Sequence, residues 1–316
     1  MPAIDSQLEA RRRLDSLRNL QREGLSWVRD SLKNLWTIWG KWKYLTVQEA
    51  YRRDPVLTVS RLLAWRTRCF LRRPAIAFLR RWNVKMFLPA QWRGVAKLIF
   101  TFREHYEPEL ACLEKILSPG SIFVDAGANI GIYTVVASRI VGDTGRVIAF
   151  EPSAQSFPIL QRNIVLNGLK NVLAFPFALG QTTGQCRLYR GPNPGLNSLG
   201  KDPSWKEEAE EIEMEQLDRV LDRTSTNRVD VIKMDVQGAE ELVLRGARRI
   251  VTSMHPLIIF EIFPEGTAPI GLSPFGAWDF LRSLGYKFFV VQRGALCSTT
   301  SPPAGGNVVA IPGQQI

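Results

Sequence analysis

Val124-Asp125-Ala126-Gly127-Ala128-Asn129-Ile130-Gly131, followed by Phe150-Glu151-Pro152, reads as the opening of a nucleotide-binding βαβ unit. An apolar run from Ser121 to Val124 ends in an acidic residue and a glycine-rich turn. A helical segment begins at Gly131, and a second apolar run, Arg146 to Phe150, ends in Glu151. In such units glycines let the backbone approach the ligand, and a carboxylate at the second strand's tip accepts ribose hydroxyls. A dinucleotide fingerprint needs three glycines, G-x-G-x-x-G, to cradle a pyrophosphate on a helix N-terminus. Here only Gly127 and Gly131 are present, with Asn129 between them and Asp125 in front. That turn suits a ligand with an amino-acid tail, one ribose and no pyrophosphate, and S-adenosylmethionine fits it best. Gly127, Asn129 and Gly131 are therefore expected beneath the methionine moiety, their amides meeting its carboxylate. Glu151, acceptor-only when ionised, is expected on the ribose hydroxyls.

The chain of 316 residues is long enough for a full α/β core and an extra module. Its four cysteines, Cys69, Cys112, Cys186 and Cys297, form no C-x-x-C pair, and only His105 and His255 are present. A disulfide framework and a multi-histidine metal site are thereby disfavoured, and a reducing, cytoplasmic setting is the expectation. No signal-peptide pattern opens the chain, and no apolar run is long enough to span a bilayer. The charge is lopsided. Residues 1–100 hold 21 Lys+Arg against 7 Asp+Glu, whereas the whole chain is only +11. Seven of the nine tryptophans lie in the same stretch, which points to two modules of different chemistry.

Leu14, Leu17, Leu25, Val28, Leu32, Leu35, Trp39 and Trp42 recur at helical spacing, predicting helix over residues 1–48. Asp54-Pro55 and Arg73-Pro74 bound a basic helix over Val56 to Leu71. Trp82 to Phe87 and Lys97 to Phe102 are expected to pair as a short hairpin, and Glu107 to Leu117 to form a helix. From there strands, expected near 121–125, 146–151, 172–177, 229–234, 257–263, 286–291 and 307–311, alternate with helices near 131–141, 153–167, 238–249 and 275–284. That rhythm argues for a mostly parallel sheet covered on both faces. An insertion from Gly184 to Leu217 holds strands at 186–190 and 210–214 around a Gly/Pro/Asn-rich loop, Gly191 to Gly200. The division expected is a basic, Trp-rich helical extension over 1–74 and a cofactor-binding domain over 75–316.

Several ordered motifs now stand together: Tyr106-Glu107-Pro108-Glu109, the Val124–Gly131 turn, Ala149-Phe150-Glu151-Pro152, Asn163 to Asn167-Gly168-Leu169, and Lys233-Met234-Asp235-Val236-Gln237-Gly238-Ala239-Glu240. Over about residues 75 to 265 the chain resembles the FkbM family of S-adenosylmethionine-dependent methyltransferases. The resemblance implies a Rossmann-like class I methyltransferase fold, α/β with seven strands, the last antiparallel. It also implies O-methylation, typically of a hydroxyl on a sugar, glycolipid or secondary metabolite. Two positions depart from the family pattern: Gln237 stands where glutamate is usual, and Phe263, after Phe260-Glu261-Ile262, where histidine is frequent. Both changes remove a titratable group from the neighbourhood of the expected pocket.

The catalytic candidate is Asp235, at the tip of the fourth strand, where an α/β sheet opens its crevice; it would accept the acceptor's hydroxyl proton or orient the acceptor. Glu107 is placed to reach the ligand's ammonium group or to begin a helix. Ala178, within Phe177-Ala178-Leu179, would line the adenine or belong to plain core. Asn197 and Ser198 in the insertion loop are candidate substrate contacts or solvated turn residues. Lys233 would steer an anionic substrate or hold a structural ion pair, and Glu261 would bind substrate or act as a structural acceptor. No metal is expected. The front end, with Trp36, Trp39 and Trp42 beside Lys33, Lys41 and Lys43, suits a membrane surface, at the inner face of a bilayer, or a helical cap. Nucleic acid is disfavoured because the catalytic half is slightly acidic. Rival readings are a nicotinamide oxidoreductase, against which the missing glycine argues, and a non-catalytic S-adenosylmethionine-binding protein.

Overall fold

The chain divides into two units, Met1–Val56 and Leu57–Ile316. The computed structural model describes residues 43–192, 194–201, 205, 208–292 and 294–315. The helix expected over residues 1–48 falls, up to residue 42, outside the described residues, as do Trp36, Trp39, Trp42, Lys33 and Lys41. In the first unit Glu49–Arg53 is a short helix carrying an Arg53–Glu49 ion pair of 2.7 Å.

The Pro55–Phe70 helix runs into the second unit, where Trp65 and Cys69 supply its buried face. Trp65 packs on Phe100 at 5.0 Å, and its indole N–H donates to the Gln91 carbonyl at 2.8 Å. Strands β1 (Ala75–Leu79) and β2 (Val84–Leu88) follow, with Ala77 paired to Met86 and every second residue buried. The hairpin is thus closed around the Arg80–Trp82 turn, and not with 97–102 as the sequence suggested. Val95–Phe102 is a helix, entered at Gly94 with φ 92°. Its residues Ala96, Ile99, Phe100, Thr101 and Phe102 are all buried. A short apolar run buried on several sides carries no period that separates helix from strand.

The main sheet has eight strands: β3 (Ile122–Ala126), β4 (Arg146–Phe150), β5 (Val172–Phe175), β9 (Val231–Met234), β10 (Leu257–Ile262), β11 (Tyr286–Gln292), β12 (Ala295–Thr299) and β13 (Gly306–Pro312), in the order β12-β11-β13-β10-β9-β3-β4-β5. Strands β5, β4, β3, β9 and β10 run parallel, and β13 is antiparallel between β10 and β11. Seven of these are the strands expected from the sequence. The eighth, β12, is an antiparallel edge strand beside β11, so the expected count of seven is corrected to eight. The insertion folds as a separate small sheet, β6 (Ala178–Leu179), β7 (Gly184–Tyr189) and β8 (Ala209–Glu215), in the order β6-β8-β7.

The Phe157–Leu166 helix explains one sequence motif. Asn163 Oδ1 accepts the Phe87 amide at 2.6 Å, while its amide group donates to the carbonyls of Phe87 and Ile130. Asn167 repeats the pattern on Lys85 at 2.7 and 2.6 Å. Two asparagines one helical turn apart thus replace the missing neighbour strand of β2, satisfying backbone groups that an edge would leave open.

Candidate active site

Chain order in the sheet reverses between β3 and β9, and the carboxyl ends of strands at such a switch point frame a crevice. A cavity of about 490 Å³ opens there. Its walls include Asp125, Gly127, Asn129, Glu151, Glu107, Ala178, Asn197, Lys233, Asp235 and Glu261, ten of the twelve residues singled out in the sequence. Gly131 and Ser198 are not on it. Gly131 adopts φ 89° as the N-cap of the Ile132–Val141 helix, and a Cβ there would collide with Leu160. Ser198 is only 3% exposed; its hydroxyl donates to the Gln237 carbonyl at 3.1 Å and accepts the Gly200 amide. Both residues instead hold backbone beside the cavity in place.

The turn after β3 is fixed from two sides. Gly127 has φ 78°, and a Cβ there would strike the Asp235 carbonyl, so only glycine fits. The amides of Gly127 and Ala128 both donate to the Phe150 carbonyl at 2.9 Å, and the Gly131 amide donates to Ala128. The Asn129 amide donates to Glu151 Oε2 at 2.7 Å, with Asn129 itself at φ 51°. These four amides already have partners, so the turn does not present them to a ligand carboxylate as the sequence suggested. It offers acceptors. Asp125, 1% exposed, takes the Thr134 hydroxyl on Oδ2 at 2.6 Å, while its Oδ1 is buried without a hydrogen-bond partner. Glu151 takes Asn129 on one oxygen and the Ser153 amide on the other at 2.9 Å, leaving lone pairs for a ligand. Burial raises the Glu151 carboxyl to about 7, against the pull of those two amides.

Across the cavity the charges form one chain. Lys233, 2% exposed, sits 3.4 Å from Asp235 Oδ2 and 4.5 Å from the centre of the Tyr133 ring. Burial alone would lower its pKa, but Asp235, Asp125, Glu107 and Glu261 outweigh that and raise it. The Tyr133 hydroxyl donates to Glu107 Oε2 at 2.6 Å. Burial holds Glu107 above the usual carboxylate range. Gln237 donates through Nε2 to Asp235 Oδ1 at 2.7 Å and to Glu261 Oε2 at 3.0 Å, tying two carboxyl groups together. Burial, then the Asp235 charge, push Glu261 well up.

Gln237 lies on the cavity wall, but Phe263 does not, so a histidine there would not by itself add a base. Glu240 does not line this cavity: buried, it caps its own turn by accepting the amides of Val236 and Gly238. Sequence reasoning missed Tyr133 and Thr134, in the first turn of the helix that follows the glycine motif. It also missed Arg93, Val95, Lys97 and Leu98, which reach the cavity because 95–102 is helical. Among the described residues no cluster suited to a metal ion is present.

The family model of the methyltransferase FkbM domain matches residues 125–288, just over half of the chain. The chain belongs to that family. It is an S-adenosylmethionine-dependent methyltransferase, and the site fits that cofactor: Asp125 holds an unused buried acceptor, and Glu151 has acceptor capacity facing the cavity. Methyltransferase sdnD of Sordaria araneosa is 29% identical over 188 residues, covering 50% of this chain and 71% of that protein. Methyltransferase 1 of Beauveria bassiana is 30% identical over 145 residues, covering 40% of this chain and 58% of its own length. A crystal structure of an FkbM methyltransferase from Methylobacillus flagellatus aligns with a TM-score of 0.42 at 16% identity, over 83% of this chain and 60% of that one.

Proposed function

We propose that this FkbM-family methyltransferase methylates a hydroxyl group, on a glycan, glycolipid or secondary metabolite. The observation that carries the reading is the shared cavity: Asp235, tethered by Gln237 and Lys233, opens on the same space as Glu151 and Asp125. When bound, S-adenosylmethionine supplies an electrophilic methyl group. Glu151 would receive its ribose hydroxyls, Asp125 and Glu107 would offer acceptors to its ammonium end, Gly127 and Asn129 would bound that end, and Ala178 would line the base. Asp235 would accept the proton of the acceptor hydroxyl as that oxygen is methylated. Lys233 holds Asp235 in place through their 3.4 Å pair, and Asn197 and Glu261 contact the acceptor.

Calorimetric titration of S-adenosylmethionine into the wild type and Glu151→Ala tests the cofactor half. Saturable binding that Glu151→Ala loses supports it; equal affinity of the two removes Glu151 from the site. Labelled methyl transfer to glycan and lipid extracts tests the acceptor half. Asp235→Asn is expected to slow transfer by about 10²–10⁴-fold with little change in cofactor affinity. An unchanged rate would exclude Asp235 as the base.

A further inference from the structure

Between Asp54 and Glu104 the chain carries no carboxylate at all, yet residues 57–103 hold eleven Lys and Arg. A charge block of that kind normally surrounds polar surface, but here it surrounds exposed apolar side chains. Phe70 is 78% exposed, and Leu63, Leu71, Ile76 and Phe78 are also exposed. Leu63 and Phe70 lie two turns apart on the Pro55–Phe70 helix, away from buried Trp65 and Cys69. Ile76 and Phe78 alternate with buried Ala75, Ala77 and Leu79, so they share the outer face of β1. Arg66, Arg72, Arg73 and Arg80 are exposed among them. Five large apolar side chains thus stand exposed within sixteen residues of chain, interleaved with arginines, a composition suited to an interaction surface.

The arginines nearby are crowded as well. The guanidinium groups of Arg68 and Arg103 lie 6.0 and 4.5 Å from the centre of the Phe100 ring, and Arg103 Nη1 is buried without a hydrogen-bond partner. Arg103 stands at φ 55°, a backbone region unfavourable to a bulky side chain. Burial and the charge of Arg61 lower its pKa to about 10. Arg68 donates to the Pro74 carbonyl at 3.0 Å, which ties the end of the helix to the approach to β1, and the Arg80 amide donates to Glu104 at 2.6 Å. Positive charge that repels itself at a partly apolar surface is relieved by a dense array of anions beside hydrocarbon.

We propose that the face formed by the second half of the Pro55–Phe70 helix and β1 docks on an anionic lipid surface, its apolar side chains entering the headgroup region and its arginines meeting lipid phosphates. Interfacial segments combine these two components, apolar burial and attraction to anionic lipid. Phosphate contact alone would not call for exposed Phe70 and Phe78, which is why a bilayer is favoured over nucleic acid. Among the described residues no helix is long and apolar enough to cross a membrane, and the mode inferred is peripheral.

The test is co-sedimentation of the full chain with vesicles of phosphatidylcholine alone or with about one third phosphatidylglycerol. Binding is expected only to the anionic vesicles and is expected to fall steeply with salt. Arg72→Ala with Arg73→Ala should weaken it about 25-fold, about fivefold per arginine. Phe70→Ser with Leu71→Ser should weaken it by at least about tenfold while leaving melting temperature and S-adenosylmethionine affinity unchanged. Equal binding to neutral vesicles, or no binding, overturns the proposal. So does anionic-vesicle binding that survives both double variants, because the contact would then lie elsewhere in the chain. Tighter salt-sensitive binding to duplex DNA, lost in the arginine variant but kept in Phe70→Ser/Leu71→Ser, would assign the face to nucleic acid instead.

Discussion

Glu151 does two things at once: it pins the turn after β3 through the Asn129 amide and it faces the cofactor cavity. Its carboxyl is raised by burial to about 7, so near neutrality a fraction of the unliganded protein carries it protonated. A protonated carboxyl gives up acceptor capacity that two ribose hydroxyls need. Affinity for S-adenosylmethionine should therefore fall as pH drops through about 7, roughly tenfold between pH 8 and pH 6, and level off above. Calorimetry across that range checks it, with Glu151→Gln expected to bind weakly and without this pH dependence. Asp125, Glu151 and Asp235 were legible in the sequence because each ends a short apolar run, and a strand tip leaves a side chain nowhere to go but the crevice. The links between them were not. Gln237 reads as the loss of an acid, and only the fold reveals that its amide bridges Asp235 to Glu261. Nor could spacing show that Ser198 turns inward to the Gln237 carbonyl.

At the scale of elements, the parallel strands were readable because they are short, nearly continuous apolar runs, buried on both faces in β3, β4, β9 and most of β10. Two elements were not. The polar edge strand β12, Ala-Leu-Cys-Ser-Thr, has one neighbour and little burial to leave a pattern. The Val95–Phe102 helix is too short and too uniformly apolar to show a period. Asn163 and Asn167 were visible as a motif, but their purpose depends on β2 lying 76 to 82 residues earlier. Asn163→Ala would strand the Phe87 amide and the Ile130 carbonyl in the interior. It should cost about 2–5 kcal/mol, read from the urea midpoint. Asn167→Ala, nearer solvent, should cost about 1 kcal/mol.

Taken whole, the second unit buries an unusual number of acids. Burial raises Glu109, Glu151 and Glu240 to about 7, and lifts Glu107, Asp125 and Glu261 as well. The native state then binds more protons than the unfolded one between about pH 5 and pH 9. Its stability must decline as pH rises through that window, the reverse of a protein held by exposed ion pairs. The melting temperature of the cofactor-free protein should be several degrees lower at pH 8.5 than at pH 6. A flat or rising profile would contradict it. The Trp65 contact carries a different consequence, for where the polypeptide can be shortened. This indole fills a slot against Phe100 and closes the Gln91 carbonyl, so the helix that bears it is an organ of the domain and not a tether leading to it. A polypeptide beginning at Leu57 should melt cooperatively and still take up S-adenosylmethionine. One beginning at Ala75, eighteen residues shorter, should expose the ring of Phe100 and aggregate.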